Sequence, residues 1–192
     1  MSINANNIPK NFDVFWGEIA PCEHLLQIYT SNDVFLHSLE SFVSSGIQTG
    51  ESVIVIATPA HLLALNHGLA TRGFNVQAAR ERDQYIPLDA EEMLARFMVK
   101  GWPDERLFEQ LVRELLTRAT REGRRVRAFG EMVAVLWAAG RAGATLRLEE
   151  LWHTICQKEG FSLFCAYPKN GFPQNAEASI QEICAAHSRM VF

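Results

Sequence analysis

Side chains that can exchange protons or hydrogen-bond a ligand stand directly after the apolar segments of this sequence. Tyr29 ends one apolar segment, Thr58, Pro59 and His61 follow a second, and Glu131 follows a third. Imidazole and carboxylate groups serve in acid–base chemistry and also make directional hydrogen bonds to bound molecules. These residues are therefore the first candidates for a functional site.

Two further candidates lie near the ends of other segments. Arg127 precedes Glu131 by four positions, and because a buried acid needs a partner, we predict an ion pair between them. Tyr167 closes the apolar segment Phe161–Tyr167 and can form part of the wall of an apolar pocket. Both join the set of predicted ligand contacts.

The segment Glu51–His61 has the order expected at a nucleotide site, an apolar strand followed at once by a helix, but it lacks a phosphate loop. Such a loop needs glycines whose backbone N–H groups surround the phosphates, a lysine that reaches them, and a Ser or Thr for Mg²⁺. Residues Ala57–His61 contain no glycine and no lysine. The sequence therefore argues against binding of a nucleoside triphosphate.

Patterns for catalysis and for metal binding are incomplete. No G-x-S-x-G motif occurs, and without a phosphate loop Glu131 has no substrate for which to activate water. His153 and Cys156 are three positions apart, with Glu149 and Glu150 just before them, but no second pair completes a set of metal ligands. We therefore expect no catalytic residues, no metal and no cofactor, in a protein that is not an enzyme.

Composition narrows the class of protein. A chain of 192 residues with 48% hydrophobic residues and a formal net charge of −4 is expected to form one globular domain and not to bind nucleic acid through bulk charge. No apolar run reaches the about 20 residues of a membrane span, and the N-terminus lacks the order of a signal peptide. We expect a cytoplasmic protein that does not bind membranes.

Apolar periodicity predicts alternating strands and helices. The β-branched run Val53–Ala57 is typical of a strand buried on both faces of a parallel sheet, whereas Pro87 restricts the predicted strand 84–88 to a sheet edge or places the proline at a strand end. The other predicted strands are 24–29, 74–78, 125–129 and 161–167, and the predicted helices are 31–45, 58–72, 89–99, 105–122, 131–139, 146–158 and 176–187. This order indicates an α/β fold of three layers, with a mainly parallel central sheet between helices.

The same pattern divides the chain and locates the site. Residues 1–20, rich in Asn, are predicted to be a partly ordered arm, and residues 21–192 a single domain. In a parallel α/β sheet, ligands bind beyond the carboxyl ends of the strands. That rule points to residues 29–31, 58–61, 88–89, 130–131 and 167–168, and Arg127 joins them as the partner of Glu131.

Six blocks, in the same order along the chain, resemble the methanogen/methylotroph DcmR-type sensory (MEDS) family. The blocks are His24–Tyr29, Val53–His61, Leu94–Asp104, Arg125–Val133, Leu148–Trp152 and Phe161–Pro168. The resemblance implies a degenerate RecA/KaiC-like core without a functional phosphate loop. It also implies a role in bacterial or archaeal signalling, with small organic molecules as the sensed compounds.

We therefore expect a non-enzymatic sensory domain that binds a small one-carbon or hydrocarbon-derived molecule and signals to a partner protein. No segment up to Phe192 reads as a helix-turn-helix or a kinase module, so the output element is expected in a partner chain or outside this sequence. Two alternatives remain open: a protein–protein signalling module without a small ligand, and an ATP-binding RecA-like protein. The resemblance to RecA-like cores also leads us to expect a homo-oligomer.

Overall fold

The structure is a computed structural model that describes residues 16–172 and 177–191. Helices α1 to α8 span Asn32–Gln48, Pro59–Thr71, Val76–Glu81, Ala90–Phe97, Glu105–Ala119, Met132–Ala138, Ala142–Glu159 and Glu177–Ala185. Strands β1 to β8 span His24–Tyr29, Ser52–Ala57, Tyr85–Asp89, Met98–Val99, Trp102–Pro103, Val126–Gly130, Ser162–Pro168 and Arg189–Val191. Residues 1–15 of the predicted arm lie outside the described residues.

Six strands form one parallel sheet in the order β3-β2-β6-β7-β1-β8. The short strands β4 and β5 pair separately as an antiparallel hairpin. Because parallel neighbours require crossover connections, helices connect the strands of this sheet. The predicted three-layer α/β fold with a parallel central sheet is confirmed.

The two faces of the sheet carry different sets of helices. Helices α1, α2 and α3 pack on one face, and α4 to α8 pack on the other, which gives a separate apolar core on each side. Strand β2 lies inside the sheet between these cores, and all six of its residues are buried. Within residues 16–172 and 177–191, no helix combines the length and apolar character needed to cross a membrane.

Local signals near β3 illustrate one correct and one wrong prediction. Pro87 lies in β3, opposite Val55, and β3 is an edge strand as its proline predicts. The predicted strand 74–78 is wrong, because these residues lead into α3. The side chain of Asn75 accepts a hydrogen bond from the backbone N–H of Ala78 at 3.0 Å and caps that helix.

The end of the chain also differs from the prediction. Strand β8 pairs with β1 at the second edge of the sheet, so Phe161–Tyr167 is not the last strand. Three residues are too few for periodicity to reveal a strand. Helix α7 begins at Ala142, so Gly143 lies inside the helix and does not precede it.

Candidate functional site

The topological switch point of the sheet lies beyond the carboxyl ends of β2 and β6. These strands are neighbours, but α2, which follows β2, packs on one face of the sheet, and α6, which follows β6, packs on the other. The chain therefore leaves the two strands in opposite directions. Such a switch point is where α/β proteins bind their ligands.

The carboxylate of Glu131 lies at this switch point and contacts two other residues there. Its Oε2 accepts a hydrogen bond from the backbone N–H of Thr58 at 2.8 Å, at the first turn of α2, and its Oε1 lies 2.8 Å from Nδ1 of His61. Nε2 of His61 is 2.9 Å from Oδ1 of Asn32. Both ring nitrogens therefore face oxygen acceptors, so a neutral ring satisfies one of these contacts and a protonated ring satisfies both.

An aromatic wall adjoins this polar group. The rings of Tyr29 and Phe35 stack with centroids 4.7 Å apart, and Phe35 meets the edge of His61 at 4.9 Å. Burial, and then the charge of Glu131, raise the pKa of Tyr29 to about 12. The Tyr29 hydroxyl therefore stays protonated near neutral pH and is available as a hydrogen-bond donor.

We call Tyr29, Asn32, Thr58, His61 and Glu131 the switch-point site. Four of its members were predicted from the sequence as ligand contacts, and Asn32 was missed because a residue in the first turn of α1 reads as a helix-start signal. The predicted contact Pro59 is the exposed first residue of α2. It borders the site without belonging to the hydrogen-bonded group.

Arg127 lies far from this group, toward the amino ends of the strands. Its buried guanidinium donates to the carboxylate of Glu51, to the carbonyl of Trp16 at 2.9 Å and to that of Phe42 at 3.1 Å. Burial lowers the pKa of Arg127, and the Glu51 charge opposes that effect. The predicted pairing of Arg127 with Glu131 is therefore wrong. The partner is Glu51, which precedes the neighbouring strand β2.

Tyr167 faces the opposite core and belongs to a second polar group that the sequence did not reveal. Its hydroxyl donates to Oε1 of Glu149, which is buried on α7. Oε2 of Glu149 lies 3.7 Å from Sγ of Cys165, 3.5 Å from Nε2 of His24 and 3.5 Å from Nε2 of His187. We call His24, Glu149, Cys165 and His187 the buried cluster.

The orientation of both imidazoles in the buried cluster is set by backbone carbonyls. Nδ1 of His24 lies 3.1 Å from the carbonyl oxygen of Ala186, and Nδ1 of His187 lies 2.6 Å from that of Ile183. Because a carbonyl only accepts, each Nδ1 carries a proton, and each Nε2 faces the cluster. The four ligand-type atoms lie within 4.8 Å of one another, as expected of residues that could hold a metal ion.

Burial dominates the titration of this cluster. It lowers the pKa of His24 to about 2, with His187 and then His153 adding to the effect, and it raises the pKa of Glu149. Burial and the adjacent Glu149 also raise the pKa of Cys165 and of Tyr167. His24, Glu149, Cys165 and Tyr167 are therefore held toward their neutral forms.

Sequence spacing could not identify this cluster, because its members come from β1, α7, β7 and the turn after α8. The pair considered from the sequence does not form a site: Sγ of Cys156 donates to the carbonyl of Phe161, and His153 only approaches His24, with ring centroids 6.0 Å apart. One local signal was present. Glu149 falls on the apolar stripe of α7 with Leu148 and Trp152, where an acid is unusual.

Most of the chain matches a known protein family. The family model described as "MEDS: MEthanogen/methylotroph, DcmR Sensory domain" matches residues 23–188. The matched region contains the switch-point site and the buried cluster. Comparison with curated proteins gave no match.

Proposed function

The chain belongs to the MEDS family of sensory domains, and from that premise we propose that it is a non-enzymatic sensor of a small organic molecule. The ligand binds at the switch-point site, beyond the carboxyl ends of β2 and β6, and its occupancy is passed to a partner signalling protein. The ligand can shift the domain only through different affinities for two of its states.

The observation that carries this proposal is the position of the Glu131 carboxylate. A helix N-terminus attracts anions, and in nucleotide-binding folds phosphate groups bind there. At α2 that place is held by Glu131, which accepts the N–H of Thr58 at 2.8 Å. A phosphate bound there would lie against the carboxylate of Glu131, and the Thr58 N–H that it needs already donates to that carboxylate. Neutral or cationic ligands are therefore favoured over nucleotides.

The surroundings of Glu131 favour a particular ligand chemistry. The stacked rings of Tyr29 and Phe35 offer an apolar surface, and the Tyr29 hydroxyl offers a donor. A one-carbon or hydrocarbon-derived molecule with an apolar body and an oxygen or halogen atom suits both features. No reaction step is part of the proposal.

Binding can be tested by NMR titration of the isotopically labelled full chain with methanol and with dichloromethane. We expect saturable shifts of the Thr58 and His61 amide signals. Tyr29→Phe should weaken binding about 2- to 10-fold, the range for one hydrogen bond. Tyr85→Phe is the matched control, because it removes a hydroxyl of the edge strand β3 that donates to Asn66 on α2.

Three outcomes would contradict the proposal. The first is a set of shifts spread over the protein without saturation, and the second is an equal affinity of the Tyr29→Phe and Tyr85→Phe proteins. The third is a response at Thr58 to Mg·ATP in place of the organic probes, which would favour the ATP-binding alternative. Thermal stabilisation by the bound probe, about 2.7 kcal/mol at 100 times Kd, provides an independent readout.

A second candidate function, a protein–protein signalling module, is favoured by exposed apolar side chains on the helices that border the site. Val34 on α1 is 47% exposed and Leu63 on α2 is 73% exposed. Sedimentation velocity of the full chain and of Leu63→Ser tests whether this surface docks a second copy. Loss of dimer mass with an unchanged response to methanol would separate docking from ligand binding.

A further inference from the structure

The buried cluster directs two imidazole nitrogens, a carboxyl oxygen and a thiol at one point. Nε2 of His24 and Nε2 of His187 each lie 3.5 Å from Oε2 of Glu149. The thiol of Cys165 can donate to only one of these atoms. Nε2 of His187 belongs to a fully buried ring and has no hydrogen-bond partner among the residues that the structure describes.

We infer that the buried cluster is a Zn²⁺ site with four protein ligands: Nε2 of His24, Oε2 of Glu149, Sγ of Cys165 and Nε2 of His187. A cation at this point accepts a lone pair from each of the four ligand atoms, which lie within 4.8 Å of one another. Zinc binds Cys165 as the thiolate and Glu149 as the carboxylate, and the protons that these two groups release pass to the solvent.

The distances agree with tetrahedral zinc. Bonds of about 2.0–2.2 Å to nitrogen and oxygen and about 2.3 Å to sulfur place neighbouring ligand atoms about 3.3–3.7 Å apart. His24 Nε2 is 3.4 Å from Cys165 Sγ, and Cys165 Sγ is 3.7 Å from Glu149 Oε2. The two separations from imidazole Nε2 to Glu149 are 3.5 Å, and every pair lies within 4.8 Å. The two remaining separations, from Nε2 of His187 to Nε2 of His24 and to Sγ of Cys165, are at most 4.8 Å, so metal binding draws these atoms together.

The surrounding hydrogen bonds are those that hold metal ligands in position. Ligating histidines donate the other ring N–H to a carbonyl or carboxylate, as His24 does to Ala186 and His187 does to Ile183. Tyr167 donates to Oε1 of Glu149, which leaves Oε2 directed at the cluster. The protein thus contains both the ligands and the groups that orient them.

The ligand types select the metal. A thiolate with two imidazoles favours Zn²⁺ among the common ions, since Mg²⁺ and Ca²⁺ require oxygen ligands. His24, Glu149 and Cys165 are at most 1% exposed, so no position is open to water or substrate. Closed coordination of this kind is typical of structural zinc.

The inferred ion joins distant parts of the chain. Its ligands belong to β1, α7, β7 and the turn after α8, so it fastens the C-terminal pair α8 and β8 to the sheet. The cluster also lies on the opposite face from the aromatic wall of the switch-point site. Its test is therefore independent of the proposed sensory function.

The experiment uses the full chain, unfolded in the presence of a chelator and refolded with Zn²⁺ or Co²⁺. We expect elemental analysis to find one zinc per chain and a higher Tm than for the metal-free protein. The cobalt form should show the strong visible bands of four-coordinate cobalt and a thiolate-to-metal charge-transfer band.

Substitutions then locate the ion. Cys165→Ser should remove the charge-transfer band, whereas Cys156→Ser, which changes a neighbouring buried thiol bonded to Phe161, should retain it. Tyr167→Phe acts through Glu149 and should lower zinc affinity about 10- to 100-fold with the cobalt bands preserved. X-ray absorption at the zinc edge of the unsubstituted protein should show one sulfur in the first shell.

Several results would overturn the inference. The first is that the protein takes up neither Zn²⁺ nor Co²⁺. The second is that the charge-transfer band persists in Cys165→Ser, and the third is that X-ray absorption finds no sulfur in the first coordination shell of zinc. Because the absorption experiment needs no substitution, it decides the question even if Cys165→Ser fails to fold.

Discussion

The buried ion pair between Arg127 and Glu51 leads to a quantitative prediction. The Arg127 side chain is 2% exposed and that of Glu51 is 9% exposed, and Arg127 also donates to the carbonyls of Trp16 and Phe42. Arg127→Met removes these donors and leaves the carboxylate of Glu51 buried. Loss of one partner of such a pair costs about 3–5 kcal/mol.

A surface contact moderates that loss. Arg125, which is 63% exposed, lies 3.0 Å from Oε1 of Glu51 and can retain part of the interaction. Exposed pairs contribute about 0–1 kcal/mol. We therefore expect Arg127→Met to lower the free energy of unfolding by about 3 kcal/mol, measured by urea denaturation with tryptophan fluorescence.

The matched control is an exposed pair of the same chemistry. Arg96 and Glu114 are 3.0 Å apart, and each side chain is 50% exposed, so Arg96→Met should leave the free energy of unfolding nearly unchanged. The double variant Arg127→Met/Glu51→Met should lose less stability than the two single variants together, since neither charge is left buried without a partner.

The reasoning is refuted if Arg127→Met costs no more than Arg96→Met, or if the losses of the two single variants simply add. The same protein also tests the functional role of Arg127. Because its guanidinium is directed away from the switch-point site, folded Arg127→Met should bind the organic probes with unchanged affinity.

Three further predictions concern packing and titration. Gly46→Ala should lower the free energy of unfolding, measured in urea, by about 1–3 kcal/mol, because a Cβ there meets Val53 at 2.7 Å and Arg127 at 2.8 Å. Gly68→Ala, the control, displaces only the flexible Glu40 carboxylate and should be neutral or stabilising by up to about 1 kcal/mol. Equal losses of stability in the two variants would contradict this prediction. Burial raises the pKa of all three tyrosines, Tyr29, Tyr85 and Tyr167. The stability that their neutral side chains contribute below pH 10 should therefore be lost as the pH rises toward about 12, the pKa of Tyr29. Phenolate absorbance near pH 10 in the native protein would contradict this prediction. In a thiol-reagent assay of native metal-free protein, the half-buried Cys22 and Cys184 should react first. Burial raises the pKa of Cys156 to about 12 and the pKa of Cys165 well above its ordinary value, so these two thiols should react slowly. Fast reaction of all four thiols would be inconsistent with this burial.

Prediction from sequence succeeded where the deciding interaction is local. The buried run of β2 and the edge position of Pro87 follow from the backbone requirements of strands, and both agree with the structure. It failed for residues 74–78, where one Asn cap outweighs a short apolar run, and for β8, which has only three residues. Elements this short gain their stability from neighbours that periodicity cannot identify.

The candidate site was predicted in part, for a related reason. Tyr29, Thr58, His61 and Glu131 were selected by one rule, that residues following parallel strands meet at one edge of the sheet. That rule does not state which strands are neighbours. Arg127 was therefore assigned to Glu131, its neighbour in sequence, although the register of β2 and β6 places Glu51 beside it.

The sequence by itself determined the α/β class, the buried strand β2 and the absence of a phosphate loop, because these depend on residue types at consecutive positions. Only the tertiary structure decided that Glu131 occupies the N-terminus of α2 and that His24 meets His187 across the domain. Strand order and register bring together residues distant in sequence. Contacts of that kind leave no periodic pattern along the chain, so they emerge only when the strands are placed side by side.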